Sequence, residues 1–320
     1  MYGSLQTALQ ALYGTERPPD ATDKLLTEHG ILLVVSAADR RESAQQFGAI
    51  EGMKQDFLEV CRILEAGGVP YVAIKGLPLA QLVYEDYAVR GISDIDVAVP
   101  LERYDDAMRV LRTAGLVHQP WDYLHKTVEI FLCPGHGTYL EVHFTLSTAE
   151  GFRGFTAEFW HDQDTITVYG RSIPIPTLEV NLVYLLLHLA RHLQEPRAVW
   201  IEDIRRFLLK FGDTLDWNRV VMLAGRHRLA NALLLSITFC DGVFTDYRQA
   251  AHFPPEVVAA IRARQGLSSR LLLRFLRPRL SNRTMTPWSQ RLYSFSLVED
   301  WRERFGLLLG FVRRRLPGRS

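Results

Sequence analysis

Apolar residues along this chain change their spacing, and each change marks an element. From Ala44 to Ala66 they fall at Phe47, Ile50, Met53, Phe57, Cys61 and Leu64. Steps of three and four predict one amphipathic helix. Gly67-Gly68 closes it and Pro70 prevents its return. Val69 to Ile74 is a continuous apolar run, short enough for a buried strand, with Lys75-Gly76 at its exit. Pro78 suits the first turn of a helix over Leu77 to Tyr84. Ile95 to Val99 predicts a second strand, and Glu102 to Ala114 a helix stopped by Gly115. Val117, Thr127 to Leu132 and Tyr139 to Phe144 predict three more strands, with CPGHG, Cys133 to Gly137, as the turn between the last two. Thr165 to Val168 and Ser172 to Ile175 predict a small hairpin around Tyr169-Gly170-Arg171.

Beyond Pro176 the period is helical throughout. Leu178 to Leu193, Ala198 to Phe211, Trp217 to Arg226 and Leu229 to Cys240 each carry an apolar face. The first 45 residues predict only short helices and turns. The pattern therefore divides the chain into a helical lead (1–66), an α/β core (67–176) and a helical C-terminal half (177–320). That order predicts an α+β fold, a small mixed sheet with flanking helices.

Composition adds one asymmetry. The 320 residues carry a net charge of +1, yet residues 262–320 hold fourteen arginines against three acids, a net of +11. Phe275, Trp288, Tyr293, Phe295 and Trp301 interleave with those arginines, which suits RNA or, alternatively, a helical core. Phe305 to Val312, followed by Arg313, Arg314 and Arg315, reads as a docked helix or as a peripheral membrane contact. No run reaches the roughly 18 apolar residues of a membrane span. Cys61, Cys133 and Cys240 are scattered without metal spacing, which fits core thiols in a reducing compartment such as the cytoplasm. The N-terminus lacks a basic region followed by an apolar run, so no secretory signal is expected.

The chemistry centres on GISDIDVAVP, Gly91 to Pro100. A D-x-D pair alone says little, as Asp162 and Asp164 in HDQDTITV illustrate. Asp94 and Asp96, however, enter an apolar strand, and strand period two puts both on one face beside a polar loop. Two carboxylates that close repel each other unless a cation shares them. Hard oxygen donors suit Mg²⁺ bound together with substrate phosphates. TYLEVHFTL, Thr138 to Leu146, carries Glu141 and His143 on one face of a later strand. If that strand lies beside the first, Glu141 joins the metal site. The alternative is a Glu141–arginine pair at a sheet edge.

In order, Lys75-Gly76, a helix, Arg90, the Asp94-x-Asp96 strand and a strand with Glu141 resemble the nucleotidyltransferases of the DNA polymerase β type. More closely, IKGLPLAQLVY, Arg90, SDIDVAV, LEVHF, LLLHLARH and EDI are similar to a bacterial family known as uncharacterised nucleotidyltransferases, over about residues 50–210. Two features depart from the superfamily: Leu77 follows Gly76 in place of Gly or Ser, and Asp94 lies 18 positions beyond Gly76.

The resemblance implies transfer of a nucleoside monophosphate from an NTP to an acceptor hydroxyl, with release of pyrophosphate. It implies two Mg²⁺ ions held by Asp94, Asp96 and Glu141. Lys75, Gly76, Arg90 and Ser93 then face the nucleotide phosphates, and His143 orients Glu141 or the acceptor, or is a buried histidine bonded to backbone. The acceptor stays open: a small molecule, a peptide, a protein side chain or a tRNA end. A catalytically inactive member of the fold, or an Arg-rich RNA-binding protein, is the alternative function.

His188, Arg191 and His192 fall at i, i+3 and i+4 on one helix, followed by Trp200 and Asp203. They are expected to form a wall over the site, with Asp203 bonding a histidine, or else to be interhelical polar contacts. His125 and Lys126 are secondary candidates.

Overall fold

The computed structural model describes residues 40–84, 90–120, 127–147, 150–193, 195–244, 251–265 and Leu297. Helix α1 (Arg40–Ala66) begins earlier than the apolar period suggests. It buries Phe57, Val60, Cys61 and Leu64, one continuous stripe. Its end is a Schellman turn: Val69 N–H donates to Leu64 O, Gly68 N–H donates to Glu65 O, and Gly68 takes a φ of 63°.

The elements that follow are β1 (Val72–Ala73), α2 (Gly76–Val83), β2 (Asp94–Ala98), α3 (Tyr104–Thr113), β3 (Val117–Gln119), β4 (Val128–Leu132) and β5 (Tyr139–His143). Strand β1 is shorter than its apolar run because the chain turns at Lys75. Ile74 N–H still donates to Asp96 O at 3.1 Å. The five strands lie in the order β1-β2-β5-β4-β3. Only β2 and β5 pair in parallel; the other neighbours are antiparallel.

Helix α4 (Glu150–Thr156), a 3₁₀ turn (Ala157–Trp160) and a separate hairpin, β6 (Gln163–Val168) with β7 (Arg171–Pro176), lead to the helical half. There stand α5 (Leu178–His192), α6 (Ala198–Phe211), α7 (Trp217–Arg226), α8 (Ala230–Phe244) and α9 (Pro255–Ala263). The fold is α+β, a mixed sheet with flanking helices. Residues 1–39, His125, Lys126 and, apart from Leu297, the arginine-rich stretch beyond 265 lie outside the described residues.

Two apolar clusters hold this together. Ile95, Val97 and Val99 pack with Phe57, Leu64, Met108 and Leu111 of α1 and α3. Val72, Ile74 and Ala98 belong instead with the side chains of α5 to α9. The sheet thus separates two cores, and strand alternation decides which residue joins which. Outside the sheet, buried Glu158 ties the 3₁₀ turn to the end of α7. It accepts hydrogen bonds from His227 Nε2 at 2.6 Å and Arg226 Nη1 at 3.0 Å. Gly151 is needed there, because a Cβ would stand 2.4 Å from His227 O. All three cysteines are buried, and burial pushes the Cys61 and Cys133 thiols up to about 12. Among the described residues no helix is long and apolar enough to cross a membrane.

Candidate active site

Register builds the site. In the parallel β2–β5 pair, Asp94 stands opposite Tyr139, Asp96 opposite Glu141 and Ala98 opposite His143. Residues paired across strands share a face, as do residues two apart. Asp94, Asp96, Glu141 and His143 therefore project together, away from the core beneath Ile95 and Val97. The D-x-D pair at the start of β6 has no such setting: Asp162 and Asp164 are exposed, and Asp162 lies 3.6 Å from Arg219.

Asp96 is the hub. Its Oδ1 receives Lys75 Nζ at 2.8 Å and His143 Nε2 at 2.9 Å, and its side chain is 3% exposed. His143 Nε2 also lies 3.3 Å from Glu141 Oε2, whose side chain is 30% exposed. Ser93 Oγ donates to Asp94 Oδ1 at 3.1 Å. Lys75 reaches inward because its backbone takes φ 50°, ψ −145°, followed by Gly76 at φ 33°. A non-glycine residue in that region costs about 1–3 kcal/mol, a strain that gathers at functional sites.

The carboxylates are unequal. Burial opposes ionisation of Asp96, yet Lys75 and His143 outweigh it and hold the carboxyl at about 2. Asp94 is raised to about 6, by burial first and then by the charges of Asp96 and Glu141. Glu141 is lowered, chiefly by its hydrogen bond with His143. Burial works against a charged His143, but its bonds to Asp96 and Glu141 prevail and raise it.

This edge opens into a cavity of about 260 Å³. Lys75, Gly76, Arg90, Ser93, Asp94, Asp96, Glu141 and His143 all line it. The far wall comes from α5 and α6. His188 and His192 ring centroids are 4.8 Å apart, and Trp200 lies 4.8 Å from His188 and 5.2 Å from His192. Burial lowers His188 well below the usual imidazole range, so it faces the cavity uncharged. Tyr184, one turn before His188, completes the wall at 6.4 Å.

Arg90 and Asp203 differ from expectation. Arg90 Nε and Nη2 grip Asp203 Oδ1 and Oδ2 at 2.9 and 2.8 Å. Tyr84 Oη donates to the same Oδ1 at 2.8 Å. Asp203 thus bonds an arginine and a tyrosine, not a histidine, and Arg90 spends its fork on a side chain. Tyr84 and Tyr184 escaped the sequence reading. Tyr184 had a signal, since the face of His188 and His192 extends back one turn. Tyr84 had none, because its partner is 119 positions away.

Donor atoms of Asp96, Glu141 and His143 lie within 4.8 Å of one another. With Asp94 beside them, three carboxylates face one lysine and one imidazole. That donor set, and an aspartate raised by burial and by its carboxylate neighbours, fit a divalent cation.

A family model described as "Uncharacterised nucleotidyltransferase" matches residues 24–245. No curated protein gives a significant sequence match. Among solved structures, the antibiotic-resistance factor ANT(2'')-Ia is similar at 13% identity, with a TM-score of 0.40 over 55% of this chain and 90% of that one. Lincosamide antibiotic adenylyltransferase LnuA, bound to lincomycin, is 16% identical, with a TM-score of 0.36 over 48% of this chain and 94% of that one. An antigenic nucleotidyltransferase-like protein from Paracoccidioides brasiliensis is 16% identical, with a TM-score of 0.36 over 57% of this chain and 92% of that one.

Proposed function

The chain belongs to the uncharacterised nucleotidyltransferase family, and on that premise we propose that it moves a nucleoside monophosphate from an NTP to an acceptor hydroxyl, releasing pyrophosphate. The observation that carries this reading is the parallel register of Asp96 with Glu141, with Asp94 on the same face of one cavity. Asp94, Asp96 and Glu141 would hold two divalent cations, Mg²⁺ by family resemblance. Bound there, such cations supply a lowered pKa for the attacking hydroxyl and counter-charge for the departing pyrophosphate.

The protein's own contribution is positioning and charge, which do most of the work in phosphoryl chemistry. Lys75 presents a fixed ammonium to the triphosphate from the exit of β1. Gly76 keeps the backbone beside Asp94 free of a side chain. Ser93 Oγ fixes Asp94 Oδ1. His143 holds Asp96 and Glu141 in place, and Glu141, the more exposed of those two, faces the acceptor. Arg90 acts through Asp203, steadying the chain that enters β2, and is a positioning residue. The rings of Tyr184, His188, His192 and Trp200 offer faces on which a flat substrate group stacks.

The test is incubation with each α-labelled NTP, a divalent cation and cell extract, comparing wild type with Asp94→Asn and Asp96→Asn. Label transfer is expected from wild type and not from either variant. Transfer that is unchanged in both variants would sink the proposal.

A further inference from the structure

Three carboxylates explain a Mg²⁺ site without help, yet an imidazole nitrogen stands among them. His143 Nε2 lies 2.9 Å from Asp96 Oδ1 and 3.3 Å from Glu141 Oε2. Adjacent ligands of an octahedral cation with bonds of about 2.1 Å are themselves about 3.0 Å apart. The nitrogen therefore already sits at ligand-edge distance from both oxygens. Its position is set by the sheet. His143 follows Glu141 by two residues in β5, in register with Ala98, and so shares the face of Asp96. Its side chain is 9% exposed, so its nitrogen meets the carboxylates rather than bulk water.

Resting on the reading of Asp96 and Glu141 as cation ligands, we infer that His143 Nε2 is itself a ligand, and that this position selects a first-row transition cation such as Mn²⁺ over Mg²⁺. The reason is chemical. Mg²⁺ prefers oxygen donors and keeps its waters. Imidazole binds the first-row transition ions more strongly, in an order that rises from Mn²⁺ through Co²⁺. On binding, the cation would stand between Nε2 and the two carboxylate oxygens that now flank it. Lys75 meets Asp96 on the same Oδ1, at 2.8 Å, so that oxygen is where imidazole, ammonium and cation converge.

The experiment uses the full chain and Mn²⁺ alone, with no nucleotide. Binding is followed by the loss of the free Mn²⁺ electron paramagnetic resonance signal, and competition with Mg²⁺ gives the selectivity. Pulsed measurements on the bound ion detect coupling to ¹⁴N. Wild type is expected to show that coupling, shifted to ¹⁵N when the protein carries labelled histidine. His143→Gln is expected to lose it, with Mn²⁺-over-Mg²⁺ selectivity falling by at least about tenfold. His188→Gln is expected to keep both. Bound Mn²⁺ without nitrogen coupling in wild type overturns the inference, and that measurement needs no variant to fold. Coupling or selectivity unchanged in His143→Gln overturns it as well. If Asp96→Asn binds Mn²⁺ as wild type does, the carboxylate reading beneath it falls. If binding depends on Asp96 but shows no nitrogen coupling, only the role of His143 falls.

Discussion

Two carboxylate sites in this protein meet their charge in different ways. At Glu158 one carboxylate receives one histidine and one arginine. Burial alone would raise it, but hydrogen bonds from His227 and Arg226 outweigh that and hold it below the usual carboxylate range. At the β2–β5 edge three carboxylates share one lysine and one histidine, and Asp94 is left at about 6. The first cluster is closed, and its charges cancel where the 3₁₀ turn meets α7. The second crowds three carboxylates at one sheet edge and faces a cavity. A buried carboxylate with its partners in hand ties elements together. A carboxylate raised by burial and by like charge at a cavity wall is a candidate for a ligand that completes the set.

The sharpest way to break this comparison is to neutralise one member of each cluster. Asp94→Asn is expected to lower label transfer by about 10²–10³-fold, the scale of one missing electrostatic contact to a transition state. With a chelator present, its Tm is expected to equal or exceed that of wild type, because ionising Asp94 opposes folding at neutral pH. Glu158→Ala should do the reverse. It leaves His227 without its acceptor and should cost about 1–3 kcal/mol in denaturant unfolding, while transfer by the folded protein stays as in wild type. A Tm loss in Asp94→Asn as large as in Glu158→Ala would erase the distinction.

Acid gives a smaller effect of definite sign. The folded-state value of Glu158 is depressed, so its stabilisation is full above the ordinary carboxylate range. It is lost as pH falls through the folded value. Wild type should therefore lose more Tm than Glu158→Ala on acidification, so that the gap between them narrows, as calorimetry across pH would show. The smallest effect is expected at Tyr84→Phe. It removes one of three hydrogen bonds to Asp203 and should cost about 0.5–1.5 kcal/mol by thermal melt, with little change in transfer.

Much of this is legible in the sequence alone. Local period gave α1, α3, the hairpin and the helices after Pro176, because each buries one face that its own sequence encodes. The shared face of Asp94 and Asp96 followed from strand alternation. Which strand lies beside β2 did not follow, since β5 pairs with it across 45 residues and no local signal fixes that choice. Sequence could state only the condition under which Glu141 would join. The partners of Asp203 were further out of reach: Arg90 is 113 positions away and Tyr84 is 119. A bond between two loosely periodic segments leaves no trace in either. The histidines of α5 were placed on one face correctly, and their partner across the helix pair, Trp200, lay in the next helix along the chain.

The Asp203 carboxylate has a mechanical consequence. It grips Tyr84, at the end of α2, and Arg90, at the approach to β2. Both ends of the intervening stretch are thereby stapled to one point on α6. One carboxylate thus fixes the spacing between the end of α2 and the approach to β2. A shift of α6 at Asp203 is thereby passed to the end of α2 and to the approach to β2 at once.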